Sequence, residues 1–255
     1  MSATFTRHLP IAGTYNVRDL GGYTAAGAQT QWRRILRADA LHRLQADGVA
    51  ELYDAGVRTV IDLRQDNELE TAPNPFREHP GVSYVNISLF DKLVPPGMGG
   101  SAGPADVLLG LYILALAERQ AAIEQVLSAI ANAGHGVVLF HCTAGKDRTG
   151  IIAALMLAAA GVERQLILDD YALTGPMIAP MIDELVAGAV ARGADVASFT
   201  PLLASAPETM QAMLEHVDER YGSVIAYLEL IGLDAAAVDR LRARLVDEPV
   251  QQTVA

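Results

Sequence analysis

The sequence is poor in cysteine, with only Cys142 among its 255 residues. One cysteine excludes an intramolecular disulfide and a zinc site built from several cysteines, and it suits a reducing compartment. The N-terminal residues MSATFTRHLPIAG lack the apolar core of a signal peptide. We therefore expect a cytoplasmic protein, although export without a cleaved signal is compatible with the same residues.

Basic residues are also scarce, since 19 Lys and Arg stand against 30 Asp and Glu, for a formal net charge of −11. Nucleic-acid binding normally requires a clustered basic patch, and no Lys/Arg cluster occurs here. The longest apolar run, Ile151 to Val162, is too short to span a bilayer as a helix. We predict no nucleic-acid partner and no stable membrane insertion, so an anionic substrate would need a local positive site.

Strand-like and helix-like segments alternate along the chain, and no Pro/Gly/Ser-rich linker divides it. This order predicts one α/β domain over residues 1–255, with a central, mostly parallel sheet flanked by helices. The predicted strands are Thr30–Ala38, Val57–Leu63, Val82–Ile87 and Val137–Phe140. The predicted helices are Leu41–Tyr53, one or two helices over Ala105–Ala133, Ile151–Ala160, Tyr221–Ile231, and a last helix capped by Asp234.

The segment 175–206 fits this alternation least well. It contains Met177, Pro180 and Met181 among scattered apolar residues. Two interpretations are open for it. It is either a helical segment packed on the core, or a mobile lid over a site, for which adaptable methionine surfaces are suited.

The segment VVLFHCTAGKDRTG, residues 137–150, joins an apolar strand to a wholly apolar helix through a tight polar loop. Such a loop presents backbone N–H groups at a helix N-terminus, where an anion binds. Gly145 allows the chain to curl without a Cβ clash, and the Arg148 fork can hold two phosphate oxygens. The predicted phosphate-binding residues are Thr143, Ala144, Gly145, Lys146, Asp147 and Arg148.

Cys142 begins this loop and is the predicted nucleophile, because a helix N-terminus and nearby cations favour the thiolate. Thr149 can donate a hydrogen bond to the sulfur, and His141 is predicted to fix the loop through backbone groups. A cysteine nucleophile needs no metal or cofactor, and His135 and His141 lack metal-ligand spacing.

Residues 141–149 match the signature of the protein tyrosine phosphatases: His-Cys, five residues, Arg, and Ser or Thr. Most of the chain also resembles a bacterial branch of this family, through Asn16–Gly22, Arg37, Asp62–Arg64, Asp170–Tyr171 and Tyr221–Ser223. One departure is Ala38, where the branch often has serine. The resemblance implies the cysteine-phosphatase fold and hydrolysis of phosphate monoesters through a cysteinyl-phosphate.

Such a reaction needs a general acid for the leaving oxygen. The only tryptophan is Trp32, so the Trp-Pro-Asp loop of the eukaryotic enzymes is absent. We predict Asp147, since the resembling branch implies an acid carried within the loop. Asp91 is the second candidate, and Asp62 with Arg64 is either functional or a buried ion pair.

We therefore predict a protein-tyrosine phosphatase acting on phosphorylated proteins. Lys146, with Arg18, Arg37 and Arg64 as further sources of positive charge, and the resemblance together imply tolerance of phosphoserine, phosphothreonine and phosphoinositides. A dedicated phosphoinositide phosphatase is the alternative. A non-catalytic phosphate-binding module and a rhodanese-type sulfurtransferase are less favoured, the latter because it lacks the Gly-Lys-Asp-Arg-Thr-Gly run.

Overall fold

The computed structural model describes residues 5–90, 104–191 and 193–246. Within them the strands are β1 (Arg18–Asp19), β2 (Thr24–Ala25), β3 (Ala28–Gln29), β4 (Ile35–Ala38), β5 (Val57–Asp62), β6 (Ser83–Asn86) and β7 (Val137–His141). The helices are α1 (Ala46–Asp54), α2 (Asp66–Thr71), α3 (Pro104–Glu118), α4 (Gln120–Ala131), α5 (Asp147–Ala159), α6 (Arg164–Ala172), α7 (Thr174–Ile178), α8 (Ile182–Ala191), α9 (Val196–Phe199), α10 (Pro207–Tyr221), α11 (Val224–Leu230) and α12 (Ala235–Leu245). Short 3₁₀ turns cover Leu41–Arg43, Ala179–Met181 and Thr200–Leu203.

The main sheet has the strand order β1-β4-β7-β5-β6. β4, β7, β5 and β6 run parallel, while β1 pairs antiparallel with β4 at one edge. His141 lies opposite both Ala38 and Asp62, so three neighbouring strands end at the same level. The residues that follow these strands therefore meet at the carboxyl edge, where sites of parallel α/β sheets form.

Strand β7 is central and buried on both faces, as expected for an uninterrupted apolar strand in a parallel sheet. Its side chains alternate: Val138 and Phe140 join the larger hydrophobic cluster with α5, while Val137 and Leu139 join a second cluster with α1. α5 is apolar nearly all round and is buried along most of its length. This packing fixes the start of α5 directly beyond the end of β7.

The prediction of a mostly parallel sheet flanked by helices is confirmed, and the predicted strands Val57–Leu63, Val82–Ile87 and Val137–Phe140 correspond to β5, β6 and β7. The predicted strand Thr30–Ala38 is shortened to Ile35–Ala38, because Arg33 adopts a left-handed conformation with φ of 59°. The helical region before Ala133 forms two helices. Arg119 leaves helical geometry between them and donates hydrogen bonds to the Ser88 and Leu89 carbonyls.

The predicted helix Leu41–Tyr53 is also interrupted, into a 3₁₀ turn and α1, because Leu44 and Gln45 are extended. The prediction that Asp234 caps the last helix is confirmed, since its side chain accepts from the Ala237 N–H at the start of α12. The predicted helix Tyr221–Ile231 is shortened to α11, because Tyr221 ends α10 and Gly222 follows it with a φ of 88°.

Segment 175–206 is a series of short helices and 3₁₀ turns. Among the described residues, the helical stretch 164–191 is long and apolar enough to cross a membrane by length and composition alone. Core helices of globular proteins share this length and composition, and Asp170 and Tyr171 in this stretch are buried against the core. Length and composition are therefore weak evidence for a span here.

Candidate active site

The loop of residues 142–146 connects the end of β7 to the start of α5 at the carboxyl edge of the sheet. Gly145 adopts a φ of +67°, and a Cβ built on it would lie 2.5 Å from the Ala38 carbonyl oxygen. Both the left-handed backbone and this close approach require glycine. The loop therefore turns at Gly145 because its backbone there packs directly against Ala38, the last residue of β4.

The backbone N–H groups of the loop are the polar groups left for a ligand. Within the described part of the chain, none of the N–H groups of residues 143–148 donates to a protein acceptor. The Thr149 hydroxyl is buried and likewise has no partner among the described residues. Unpaired N–H groups at the start of a helix form an anion site, because the helix dipole reinforces them.

The carbonyl groups of the same loop are held by side chains from the N-terminal part of the chain. The Asn16 side-chain amide donates to the Ala144 carbonyl at 2.9 Å, and Arg37 Nη2 donates to the Gly145 carbonyl at 2.8 Å. Asn16 and Arg37 are both buried. These bonds fix the carbonyl groups and so restrict the orientation of the loop peptides.

Asp170 of α6 holds Arg37 in place through a buried ion pair. Its carboxylate pairs with Arg37 at 2.5 Å and with Arg18 at 3.1 Å, and it accepts from the Tyr23 hydroxyl. Burial opposes its charge, but Arg18 and Arg37 hold the pKa of Asp170 well below its usual range. Arg18 and Arg37 therefore compensate a buried carboxylate and brace the loop, and do not extend positive charge toward a substrate as the sequence suggested.

Arg148 lies on the first turn of α5 and is held by Glu68 of α2. Its Nη1 and Nη2 lie 2.5 Å and 3.0 Å from the two carboxylate oxygens of Glu68, and Nη2 also donates to the Thr143 hydroxyl. Burial opposes the charges, but Arg148 and the Thr143 hydroxyl lower the pKa of Glu68 to about 2. Burial alone would lower the pKa of Arg148, but the neighbouring Cys142, Glu68 and Asp147 raise it. The guanidinium is thus fixed and charged beside Cys142, which is buried.

Asp147, the predicted acid, is the first residue of α5. Its Oδ1 accepts a hydrogen bond of 2.6 Å from the Tyr112 hydroxyl and lies 3.3 Å from Lys146 Nζ. The Lys146 side chain is buried, and its ammonium donates to the Leu202 and Ala204 carbonyls. The ammonium therefore binds segment 175–206 in this arrangement, where the sequence suggested a solvent-exposed cation or one facing a second phosphate.

Asp62 and Arg64 form a buried ion pair of 2.7 Å below the loop. His141 Nε2 lies 3.2 Å from Asp62, and His141 Nδ1 donates to the Cys142 carbonyl at 3.0 Å. Burial would raise the pKa of Asp62, but His141 and Arg64 hold it well below its usual range. Both carboxylate oxygens of Asp62 accept hydrogen bonds from Arg64, and the side chain is fully buried, so neither oxygen is left to face a substrate. These residues therefore support the backbone of Cys142, the predicted nucleophile.

A cavity of about 740 Å³ opens over Arg148 and Thr143. α8 supplies one wall through Glu184, Leu185 and Gly188, so part of segment 175–206 lies over the site. Asp91, the second candidate for the acid, lies outside the described residues. Within the described ranges, no group of three or more His, Cys, Asp or Glu side chains is arranged to hold a metal ion.

Sequence reasoning missed Glu68 and Tyr112. Glu68 carries a partial signal: it is an acidic residue in the first turn of a short helix that begins directly after the Asp62–Arg64 strand end, and its carboxylate accepts from the Gln65 N–H. Tyr112 carries none, because an aromatic residue in an apolar helix is usually a core residue. Only the folded chain brings it to Asp147.

A parallel sheet with a cysteine-led anion loop between a buried strand and a buried helix defines the class of this protein: the tyrosine-phosphatase type of α/β protein. The model of the tyrosine phosphatase family matches residues 9–247, and the chain belongs to that family. The expectation of a phosphatase of this type is confirmed at the level of the family.

Three known proteins that resemble the chain are named as phosphatases. It is 29% identical to the triple specificity protein phosphatase PtpB of Mycobacterium tuberculosis, over 94% of this chain and 99% of that protein. It is 30% identical to a Cupriavidus necator protein with the provisional name tyrosine-protein phosphatase, over 90% of this chain and 84% of that one. A Nostoc commune tyrosine-protein phosphatase is 38% identical over 55% of this chain and 48% of its own length.

Among solved structures, the crystal structure of Pseudomonas aeruginosa TpbA matches 72% of this chain and 96% of its own, with 19% identity and a TM-score of 0.37. At that score the likeness carries no argument about fold or function.

Proposed function

We propose that this protein hydrolyses phosphate monoesters, phosphotyrosine in proteins above all, through a cysteinyl-phosphate on Cys142. The observation that carries the proposal is the set of unpaired N–H groups of residues 143–148, at the N-terminus of a buried helix and beside a fixed Arg148. This set matches three phosphoryl oxygens in charge and hydrogen-bonding capacity.

In the first step the Cys142 thiolate attacks phosphorus and the bond to the leaving oxygen breaks, while the loop N–H groups and Arg148 stabilise the charge on the phosphoryl oxygens. Asp147 gives its proton to the leaving oxygen. In the second step water attacks phosphorus, Asp147 takes a proton from it, and the S–P bond breaks to release phosphate and the thiolate. We assign the donor to the leaving sulfur to the Thr149 hydroxyl, because it is buried and has no partner among the described residues.

The substrate proposal follows from the charges around the cavity. Arg148 is engaged by Glu68, Arg64 is paired with Asp62, and the Lys146 ammonium is held by segment 175–206. Acidic Glu68 and Glu184 also line the cavity. Such a site favours a substrate with one phosphate over a polyphosphorylated inositol headgroup. Activity on phosphoserine and phosphothreonine is proposed as secondary, by analogy with the name of the M. tuberculosis relative.

We also propose that segment 175–206 is a lid within a single catalytic domain. Support comes from its position: α8 lines the cavity, and the carbonyls at the end of the segment bind Lys146 of the phosphate loop.

The test is hydrolysis of p-nitrophenyl phosphate by the wild type and by Cys142→Ser, with a chelator present. We expect turnover by the wild type and a loss of at least about 10³-fold in the variant, which lacks the thiolate nucleophile. Inorganic phosphate should still bind to the variant in a calorimetric titration, because the N–H groups are unchanged. Equal turnover by both proteins would remove Cys142 from the mechanism.

Substrate class is tested separately by comparing kcat/KM for a phosphotyrosine peptide with kcat/KM for a soluble inositol bisphosphate. The proposal expects the peptide to be preferred by at least about tenfold, a difference of 1.4 kcal/mol in transition-state stabilisation. The reverse preference would make the protein a phosphoinositide phosphatase.

A further inference from the structure

Tyr112 is a fully buried tyrosine whose hydroxyl reaches the proposed acid. It lies on α3, and its Oη donates to Asp147 Oδ1 at 2.6 Å. Burial, together with the charge of Asp147, raises the pKa of Tyr112 well above its usual value. The phenol therefore stays protonated and remains a hydrogen-bond donor over the whole pH range in which a phosphatase would act.

A second tyrosine stands behind the first. Tyr171 Oη lies 2.7 Å from Tyr112 Oη, and the two rings pack edge to face with centroids 6.4 Å apart. The only hydroxyl proton of Tyr112 is directed to Asp147, so Tyr171 must donate to Tyr112. Gly150 makes room for this arrangement, since a Cβ there would lie 3.1 Å from the Tyr171 ring.

The two oxygens of Asp147 have different surroundings. Oδ1 accepts from Tyr112 and lies 3.3 Å from the Lys146 ammonium. Oδ2 has no hydrogen-bond partner in the described part of the chain. A proton on the carboxyl group is then best placed on Oδ2, because Oδ1 already faces two donors.

We propose that Tyr112, supported by Tyr171, is a positioning residue for general acid–base catalysis: it fixes Oδ1 of Asp147 so that Oδ2 carries the proton to and from the substrate. The inference rests on the proposed function, since it assigns a partner to the acid of that reaction. The hydroxyl of Tyr112 exchanges no proton with substrate, and its contribution is the orientation of the carboxyl group.

The test compares wild type with Tyr112→Phe on two substrates, phenyl phosphate and p-nitrophenyl phosphate. Phenol is the poorer leaving group and depends more on a well-placed acid. We expect kcat/KM for phenyl phosphate to fall about tenfold and kcat/KM for p-nitrophenyl phosphate to fall less than about threefold, with the inhibition constant for inorganic phosphate unchanged. An equal fall on both substrates, or no fall on either, would overturn the positioning role.

Two further variants separate this role from a general loss of packing. Tyr227→Phe is the matched control, because Tyr227 is also fully buried and its hydroxyl donates to the Leu116 carbonyl, away from Asp147. It should leave the ratio of the two kcat/KM values unchanged. In an Asp147→Asn background, Tyr112→Phe should have no further effect on that ratio, and an undiminished effect there would also overturn the inference.

If Tyr112→Phe does not fold, Tyr171→Phe takes its place, since it removes only the donor to Tyr112. It should lower the ratio of phenyl to p-nitrophenyl phosphate turnover by about twofold to threefold, and an unchanged ratio would contradict the role. Failure of the proposed function is distinguishable from failure of this inference, because the wild type itself would then show no Cys142-dependent turnover of p-nitrophenyl phosphate.

Discussion

The two sides of the loop of residues 142–146 differ in how their polar groups are satisfied. On one side the Ala144 and Gly145 carbonyls bind Asn16 and Arg37, and buried Asp170 pairs with Arg37 and Arg18. On the other side the N–H groups of residues 143–148 have no acceptor within the described residues. Buried polar groups normally find partners, so we expect the carbonyl side to support the loop and the N–H side to bind the ligand of the proposed function.

Among the residues that hold the carbonyl side of the loop, Arg37 is the one whose replacement should have the largest effect. Replacing it by Gln leaves the Gly145 carbonyl weakly bound and removes one of the two cations facing buried Asp170. Loss of one partner from a buried ion pair costs roughly 3–5 kcal/mol. We expect a loss of this size in the free energy of unfolding, measured by urea denaturation at pH 7.

Arg164→Gln is the matched control, because Arg164 pairs with Asp218 on the surface, with exposed fractions of 40% and 43%. Exposed pairs contribute about 0–1 kcal/mol. If Arg37→Gln were no more costly than Arg164→Gln, the buried network would not be the support of the loop.

The loop of residues 142–146 was predictable from the sequence, whereas the side chains that hold it were not. The strand, loop and helix that carry the proposed anion site were predictable, because a buried strand, a tight loop with Gly145 and a buried helix are local features of consecutive residues. The side chains that hold the loop could not be predicted, since Asn16 and Arg37 lie more than 100 residues along the chain from the carbonyls that they bind. Lys146 shows the limit most clearly: its residue type indicated a cation for substrate, and the fold directs its ammonium to the Leu202 and Ala204 carbonyls.

A smaller effect is expected at Glu68, which holds the Arg148 guanidinium on the N–H side of the loop. Glu68→Gln weakens the paired contact that fixes the Arg148 fork, and we expect kcat/KM for p-nitrophenyl phosphate to fall about tenfold. Glu70→Gln is the control, because Glu70 lies exposed on the same helix. Equal activity of the two variants would show that Arg148 needs no bracing.

Glu68 also gives a pH dependence of stability with a definite sign. Its pKa falls from 4.5 to about 2 on folding, so the folded protein holds the carboxylate charged. The resulting stabilisation, roughly 2 kcal/mol after allowance for partial exposure, is fully present above about pH 4.5 and is lost as the pH falls toward 2. The difference in unfolding free energy between wild type and Glu68→Gln should therefore be constant from pH 7 to 5 and shrink below pH 4.5. A difference that grew on acidification would contradict the ion pair.

The smallest effect is expected at a contact between segment 175–206, the proposed lid, and the body of the protein. Arg43 Nη1 lies 2.9 Å from Glu184 Oε1, but Glu184 is 56% exposed, and Arg43 also pairs with buried Asp39. An exposed ion pair contributes less than about 1 kcal/mol and is screened by salt. Glu184→Gln should therefore change the free energy of unfolding by less than about 0.5 kcal/mol, while any effect on KM for a phosphotyrosine peptide should be present at 50 mM NaCl and absent at 1 M. Because Glu184 lines the cavity and belongs to α8, a KM effect without a stability effect would support the proposed role of segment 175–206 as a lid. A salt-independent loss of stability would instead place α8 in the network that supports the loop.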